Sequence, residues 1–193
     1  MLHKLAITPM QQFSYTSGKN STDSALIIDA MDILHAGGLD GFCLVSSDSD
    51  FTKLATRIRE AGLAVYGFGE KKTPEAFIAA CDKFVYTEIL REEPQAEAPK
   101  EEGVAELPKL RPMVLKALEA TAREDGWATL SALGSQLTRN HPAFDSRNYG
   151  VAKLGELMRK QGYLEMKEVP VGEGGAHVQL HVRRKQSAPP KAA

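Results

Sequence analysis

Leu44-Val45-Ser46-Ser47-Asp48-Ser49-Asp50-Phe51 runs from an apolar stretch straight into two aspartates and then into amphipathic sequence. Gly41 to Val45 is a continuous apolar run of the kind that parallel strands show when both faces are covered. Phe51 to Ala61 places Leu54, Ile58 and Ala61 at helical spacing, and Gly62 stops the pattern. A strand that turns at once into a helix belongs to an open α/β sheet, where ligands sit outside the carboxyl ends of the strands. Asp48 and Asp50 fall at that position. Two carboxylates this close repel unless a proton or a cation lies between them, and hard oxygen donors favour Mg²⁺ or Mn²⁺. The spacing also suits a plainer role, in which Asp50 or Ser49 caps the helix and Asp48 is solvated.

The flanking sequence extends the alternation. Ser21 to Ala36 carries Ala25, Ile28, Met31 and Leu34 at helical spacing and closes on Gly37-Gly38. Asp23 stands in its first turn, within reach of a strand-end site if this helix packs beside it, although an early aspartate also serves the helix dipole. Asp29 and Asp32 point away from Asp23 on a helical wheel and read as a solvated face. Leu63 to Phe68 reads as a strand. Pro74 reads as the first residue of a helix through Ala80, Lys83 to Thr87 as a last strand, and Gln11 to Thr16 as a short strand candidate. The expectation for residues 1–90 is a parallel sheet with helices on its faces.

Residues 91–106 hold prolines and a run of glutamates with little to bury, and read as a solvated linker. Beyond it the pattern becomes three helical stretches, Leu110 to Arg123, Thr129 to Arg139 and Ser146 to Gln161. Two strands follow, Tyr163 to Val171 and Ala176 to Arg183, around the turn Gly172-Glu173-Gly174-Gly175. Three helices and a β-ribbon predict a small α+β winged-helix domain over 107–184, with 185–193 as a disordered tail. Charge divides the same way. Residues 1–93 carry a net charge of −4, residues 94–107 of −3 and residues 108–193 of +6. The basic half is the candidate for polyanion contact, through Arg147, Lys153, Arg159, Lys160 and Arg183, with Tyr149 as a ring on which a base could stack.

Composition removes several classes. With 193 residues, 42% hydrophobic and 25% charged, the chain can build an ordinary core or two. Cys43 and Cys81 do not form a C-x-x-C pair, and the five histidines lack metal-type spacing, which argues against a disulfide scaffold or a structural zinc. No apolar run approaches the roughly 18 residues of a membrane span and no secretory segment opens the chain, so a cytoplasmic protein without a membrane partner is expected. Asp48-x-Asp50-x-Thr52 also matches the nucleophile motif of haloacid-dehalogenase-type phosphatases. Phe51 enters a helix at once, however, and no later acidic pair completes that machinery.

Asn20-Ser21-Thr22-Asp23-Ser24-Ala25-Leu26 with Asp29, Val45-Ser46-Ser47-Asp48-Ser49-Asp50-Phe51, Arg59-Glu60-Ala61-Gly62 and Val65-Tyr66-Gly67-Phe68-Gly69 resemble the NYN domain. That is the PIN-like nuclease fold that includes LabA-like and DUF88 proteins. The resemblance implies a metal-dependent ribonuclease in which Asp23, Asp48 and Asp50 ligate Mg²⁺ or Mn²⁺; Lys19 is a weaker carry-over. The family opens with a strand ending in an aspartate, which this chain starts too late to contain. A PIN-like parallel sheet lacking its first strand is therefore expected, with an exposed edge that invites homo-oligomers.

Asp125-Gly126-Trp127-Ala128-Thr129-Leu130-Ser131-Ala132-Leu133-Gly134, Pro142-x-Phe144-Asp145-x-Arg147-x-Tyr149-Gly150 and Lys153-Leu154-x-Glu156-Leu157 are similar to the OST-HTH or LOTUS domain, which implies RNA binding. The combined expectation is a nuclease that hydrolyses RNA phosphodiesters, with an appended RNA-binding domain. The alternative is a catalytically weak or inactive RNA-binding adaptor.

Overall fold

The structure is a computed structural model that describes residues 2–12, 21–90, 109–171 and 177–185. In the first half, α1 (Ser21–Ala36), β1 (Gly41–Val45), α2 (Thr52–Glu60), β2 (Ala64–Gly69), α3 (Glu75–Ala80) and β3 (Lys83–Tyr86) alternate along the chain. The three strands form one parallel sheet in the order β1-β2-β3, with Gly41 opposite Ala64 and Tyr66 opposite Lys83. Sequential parallel strands joined by helices give the α/β architecture that the alternation predicts.

The core of this half is dense in aromatic and branched residues. Ile58, Val65, Phe77 and Phe84 are fully buried, and Phe84 lies edge-on to both Phe77 and Tyr86, at 6.0 and 5.6 Å between ring centroids. Burial of each such side chain stabilises the fold by roughly 1.5–3 kcal/mol, and the edge-on arrangement suits the ring quadrupoles. Gly67 makes room for this cluster, since a Cβ there would lie 2.5 Å from the Phe84 ring.

Four local expectations are corrected. The inward stripe of α1 is Ile27, Ala30, Met31 and Leu34, whereas Ile28 is 60% exposed. Helical spacing alone could not choose between two overlapping apolar stripes in Leu26-Ile27-Ile28. Pro74 is extended and precedes α3 instead of opening it, because the buried Thr73 hydroxyl donates to the Glu70 carbonyl and holds the chain in a turn first. Gln11 and Gln12 lie outside any strand, and the rest of that strand candidate, 13–16, falls outside the described residues. Finally, Ser146 to Gln161 is no single helix. A 3₁₀ turn, Ser146–Tyr149, ends at Gly150 with φ +74°, and α6 occupies only Leu154–Arg159. That left-handed φ suits glycine and terminates the helical turn before it.

In the second half, α4 (Leu110–Thr121), β4 (Ala128–Thr129), α5 (Leu130–Asn140) and α6 precede the antiparallel pair β5 (Leu164–Val171) and β6 (His177–Arg184). The sheet order is β4-β6-β5. Thr129 starts α5 as a cap, its hydroxyl accepting from the Ala132 amide at 3.1 Å. Val114, Ala117, Leu133, Leu137, Met158 and Val182 form a second, separate core.

The two halves touch. Ala143, between α5 and the 3₁₀ turn, packs against the first core, and the Phe84 amide of β3 donates to the Pro142 carbonyl at 2.9 Å. The second half thus supplies the acceptor for a main-chain donor of the terminal strand of the first sheet. The expected linker, 91–106, and the tail from 186 onward lie outside the described residues. Among the described residues no helix is long and apolar enough to cross a membrane.

Candidate metal centre and nucleic-acid interface

Helix α1 runs back along the sheet, so its first turn lies beside the carboxyl end of β1. Asp23 belongs to the same stripe as Ile27, Ala30 and Leu34, which the sheet side of the helix buries. The packing that buries this stripe therefore aims Asp23 at the loop after β1. There, carboxylate oxygens of Asp23, Asp48 and Asp50 all lie within 4.8 Å of one another. Asp23 is half-buried, and Asp48 and Asp50 are exposed. The structure brings together the three aspartates that the sequence singles out; Lys19 lies outside the described residues.

Hydrogen bonds fix the loop that carries two of the three. The Ser46 amide donates to the Phe68 carbonyl at 2.9 Å, which ties the end of β1 to β2. The Ser46 hydroxyl accepts from the Asp48 amide at 3.1 Å, and the Ser47 hydroxyl from the Glu70 amide at 2.9 Å. Asp48 itself caps the 3₁₀ turn Ser49–Phe51, its Oδ1 accepting from the Asp50 amide at 2.9 Å. The cap is thus Asp48, not Asp50 or Ser49. Phe51, 4% exposed, anchors the turn in the core. Gly69 lies so close that a Cβ there would meet the Ser46 carbonyl at 2.5 Å.

The donor set fits a divalent cation. Three carboxylates supply hard oxygen donors, and their mutual repulsion in a small volume favours a cation between them. Thr52, the third member of the phosphatase-like motif, donates its hydroxyl to the Ser49 carbonyl at 2.6 Å and begins α2 directly. Asp29 is half-buried and lines a largely apolar groove of about 600 Å³ between α1 and β1, with Leu26, Cys43 and Val45; Asp32 is exposed.

The six candidate RNA contacts differ in surroundings. Lys153 and Lys160 are exposed. Arg159 is exposed but pairs with Glu168 at 3.2 Å. Arg183 is half-buried, pairs with Glu165 and lies over the Trp127 ring at 4.5 Å, while Lys167 covers the same ring at 4.2 Å. Trp127 is therefore buried beneath two cations and not only among apolar side chains. Tyr149 packs against Phe144, with ring centroids 6.0 Å apart, and its hydroxyl reaches the Met113 sulfur at 3.9 Å. Burial pushes its phenol up.

Arg147 is exposed and forks onto Asp145, with Nε at 3.0 Å from Oδ1 and Nη2 at 2.8 Å from Oδ2. That bond holds the Asp145 carboxyl below the usual carboxylate range despite partial burial. Sequence reasoning missed Lys71 and Glu88, which lie just past the carboxyl ends of β2 and β3 and share a cleft with Arg147. The strand-end rule that found Asp48 would have found both.

The NYN domain model matches residues 1–90, and the OST-HTH/LOTUS domain model matches residues 105–175. The solution NMR structure of an uncharacterized protein from Nitrosomonas europaea is 28% identical over 52% of this chain and 99% of that one, with a TM-score of 0.39. A solution NMR structure of residues 175–257 of a Chromobacterium violaceum protein is 35% identical over 43% of this chain and 87% of that one, with a TM-score of 0.35. No curated protein matches the chain.

Proposed function

Since the chain consists of an NYN domain followed by an OST-HTH/LOTUS domain, we propose that it is a metal-dependent ribonuclease whose second domain, read as a winged helix, holds the RNA. The observation that carries this reading is the convergence of Asp23, Asp48 and Asp50 within 4.8 Å at the carboxyl end of the sheet. These residues would hold Mg²⁺ or Mn²⁺, which supplies polarisation of the scissile phosphate and a water of lowered pKa.

The chain's own residues position the site. Ser46 and Asp48 lock the loop so that the carboxylates keep their spacing, and the stripe of α1 presents Asp23. In the second domain, Arg147, Lys153, Arg159, Lys160 and Arg183 offer cations for phosphates, and Tyr149 an aromatic edge. Arg159 and Arg183 would exchange carboxylate partners for phosphate on binding. Direct contact between the domains raises the effective concentration of bound RNA at the carboxylates.

The test is incubation of labelled single-stranded RNA with the folded chain in Mn²⁺ and in Mg²⁺, with EDTA and an Asp48→Asn/Asp50→Asn double variant as controls. Cleavage abolished by both controls is the expected result. Cleavage that survives the double variant overturns the mechanism, and RNA binding without hydrolysis in either metal makes the protein an RNA-binding adaptor.

A further inference from the structure

Trp127 is buried, yet among the described residues it belongs to neither hydrophobic core cluster. The strand register shows where it lies. Ala128 and Met166 both pair with Val182, and these three side chains turn toward the second core. Side chains alternate along a strand, so their neighbours turn the other way: Trp127 just before β4, Arg183 on β6, and Glu165 and Lys167 on β5. The ring therefore lies on the outer face of the β4-β6-β5 sheet. Lys167 Nζ stands 4.2 Å from its centroid there, and the central carbon of the Arg183 guanidinium 4.5 Å.

The ring and its cover differ in rigidity. The main chain of Trp127 is fixed on both sides, its amide donating to Asp125 Oδ1 at 3.0 Å and its carbonyl accepting from the Arg123 amide at 3.0 Å. The cover consists of two long side chains, of which Lys167 is exposed. A cation over a ring at an exposed site is held weakly, so another group can displace it. The charges are also unbalanced. Glu165 pairs with Arg183, whereas among the described residues no carboxylate pairs with Lys167. Arg184 and Lys185, both exposed, add the same sign at the end of β6. A fixed aromatic ring beneath movable cations in excess suits a ligand that brings both a flat π-face and negative charge. Single-stranded RNA has both. Tyr149, by contrast, rests against Phe144 and Met113.

We infer that this outer face is a stacking platform for single-stranded RNA, in which a base takes the place of the Lys167 ammonium on the Trp127 ring while Lys167 and Arg183 turn to the flanking phosphates. The inference rests on the RNA-handling reading above and deepens it, since it names the face of the second domain that meets the strand. Every base has a π-face, so such a contact holds RNA without selecting its sequence.

Trp127 is the one tryptophan in the chain, so tryptophan fluorescence reports on this face. The full chain is titrated in EDTA with a short unstructured single-stranded RNA, while the anisotropy of a label on that RNA measures binding independently of cleavage. Saturable quenching with the same Kd as the anisotropy is expected. A strand of equal length made of abasic sugar-phosphate is expected to bind more weakly and to quench less. Trp127→Leu is expected to weaken binding about 5- to 150-fold. Lys167→Gln is expected to lower the salt dependence of binding by about one counterion, a readout that a merely structural side chain does not move. RNA binding that leaves the tryptophan signal unchanged overturns the platform, as does an unaltered salt dependence in folded Lys167→Gln. Equal quenching by the abasic strand overturns stacking, and equal quenching by polyglutamate makes the face an acidic-peptide surface instead. A folded chain that binds no RNA overturns the RNA reading itself, which separates the two failures.

Discussion

The Asp48 carboxylate accepts from the Asp50 amide at 2.9 Å, so one candidate metal ligand sets the backbone position of another. Replacing Asp48 with Asn keeps an acceptor for that bond and removes a charge. Asp48→Asn is expected to weaken Mn²⁺ binding at least about tenfold by calorimetry, while its thermal midpoint changes little. Asp48→Ala also loses the cap and is expected to cost a further ~1 kcal/mol in denaturant unfolding. Equal metal affinity in wild type and Asp48→Asn would remove Asp48 from the ligand set.

Gly69 is the second point of control over the loop. A methyl group there meets the Ser46 carbonyl at 2.5 Å and the Thr73 hydroxyl at 2.7 Å. Both belong to the bonded framework around the site, so neither can swing away cheaply. Gly69→Ala is expected to destabilise the fold by about 1–3 kcal/mol and lower the melting temperature by roughly 3–10 °C. Because the Ser46 hydroxyl accepts from the Asp48 amide, metal affinity should fall as well. Calorimetric melting beside a Mn²⁺ titration checks both effects.

Asp145 gives the stability of the fold a pH dependence. Its hydrogen bond from Arg147 holds the folded carboxyl below the ordinary value, which stabilises the native state above the unfolded pKa of about 3.9. That contribution is lost as pH falls through the lower folded value. Arg147 is 44% exposed, and solvent screening limits the pair to about 1 kcal/mol. The difference in melting temperature between the wild type and Asp145→Asn is therefore expected to be roughly 2–4 °C near neutral pH and to shrink in acid. A difference that grew on acidification would contradict the pairing.

The two cysteines should part sharply in reactivity. Cys43 is exposed on β1, whereas Cys81 is buried, donates to the Phe77 carbonyl at 3.3 Å, and has its thiol pushed up to about 11 by burial. Alkylation at mildly basic pH needs the thiolate. Mass spectrometry of iodoacetamide-treated native protein is expected to find Cys43 modified at least about tenfold faster than Cys81. The two rates should converge in denaturant.

What the sequence disclosed depended on how local the cause was. Asp48 and Asp50 were legible because a strand end and a helix start adjoin them, and Asp23 because a first-turn residue one turn from a buried stripe must face the sheet. The break at Gly150 was hidden by helix-forming residues on both sides, since only the left-handed φ distinguishes that glycine from one tolerated in a helix. That Lys71 and Glu88 share a cleft with Arg147 was not legible. No periodicity records how one domain seats on another, and among the described residues that seating includes the Phe84–Pro142 main-chain bond and the packing of Ala143.

The hydrogen bond from Phe84 to Pro142 also bears on what the first sheet can pair with. Strand β3 is an edge strand of that sheet, and its Phe84 donor, which an added strand would need, is already engaged by the second domain. The contact between the halves thereby blunts this edge against strand addition at that position.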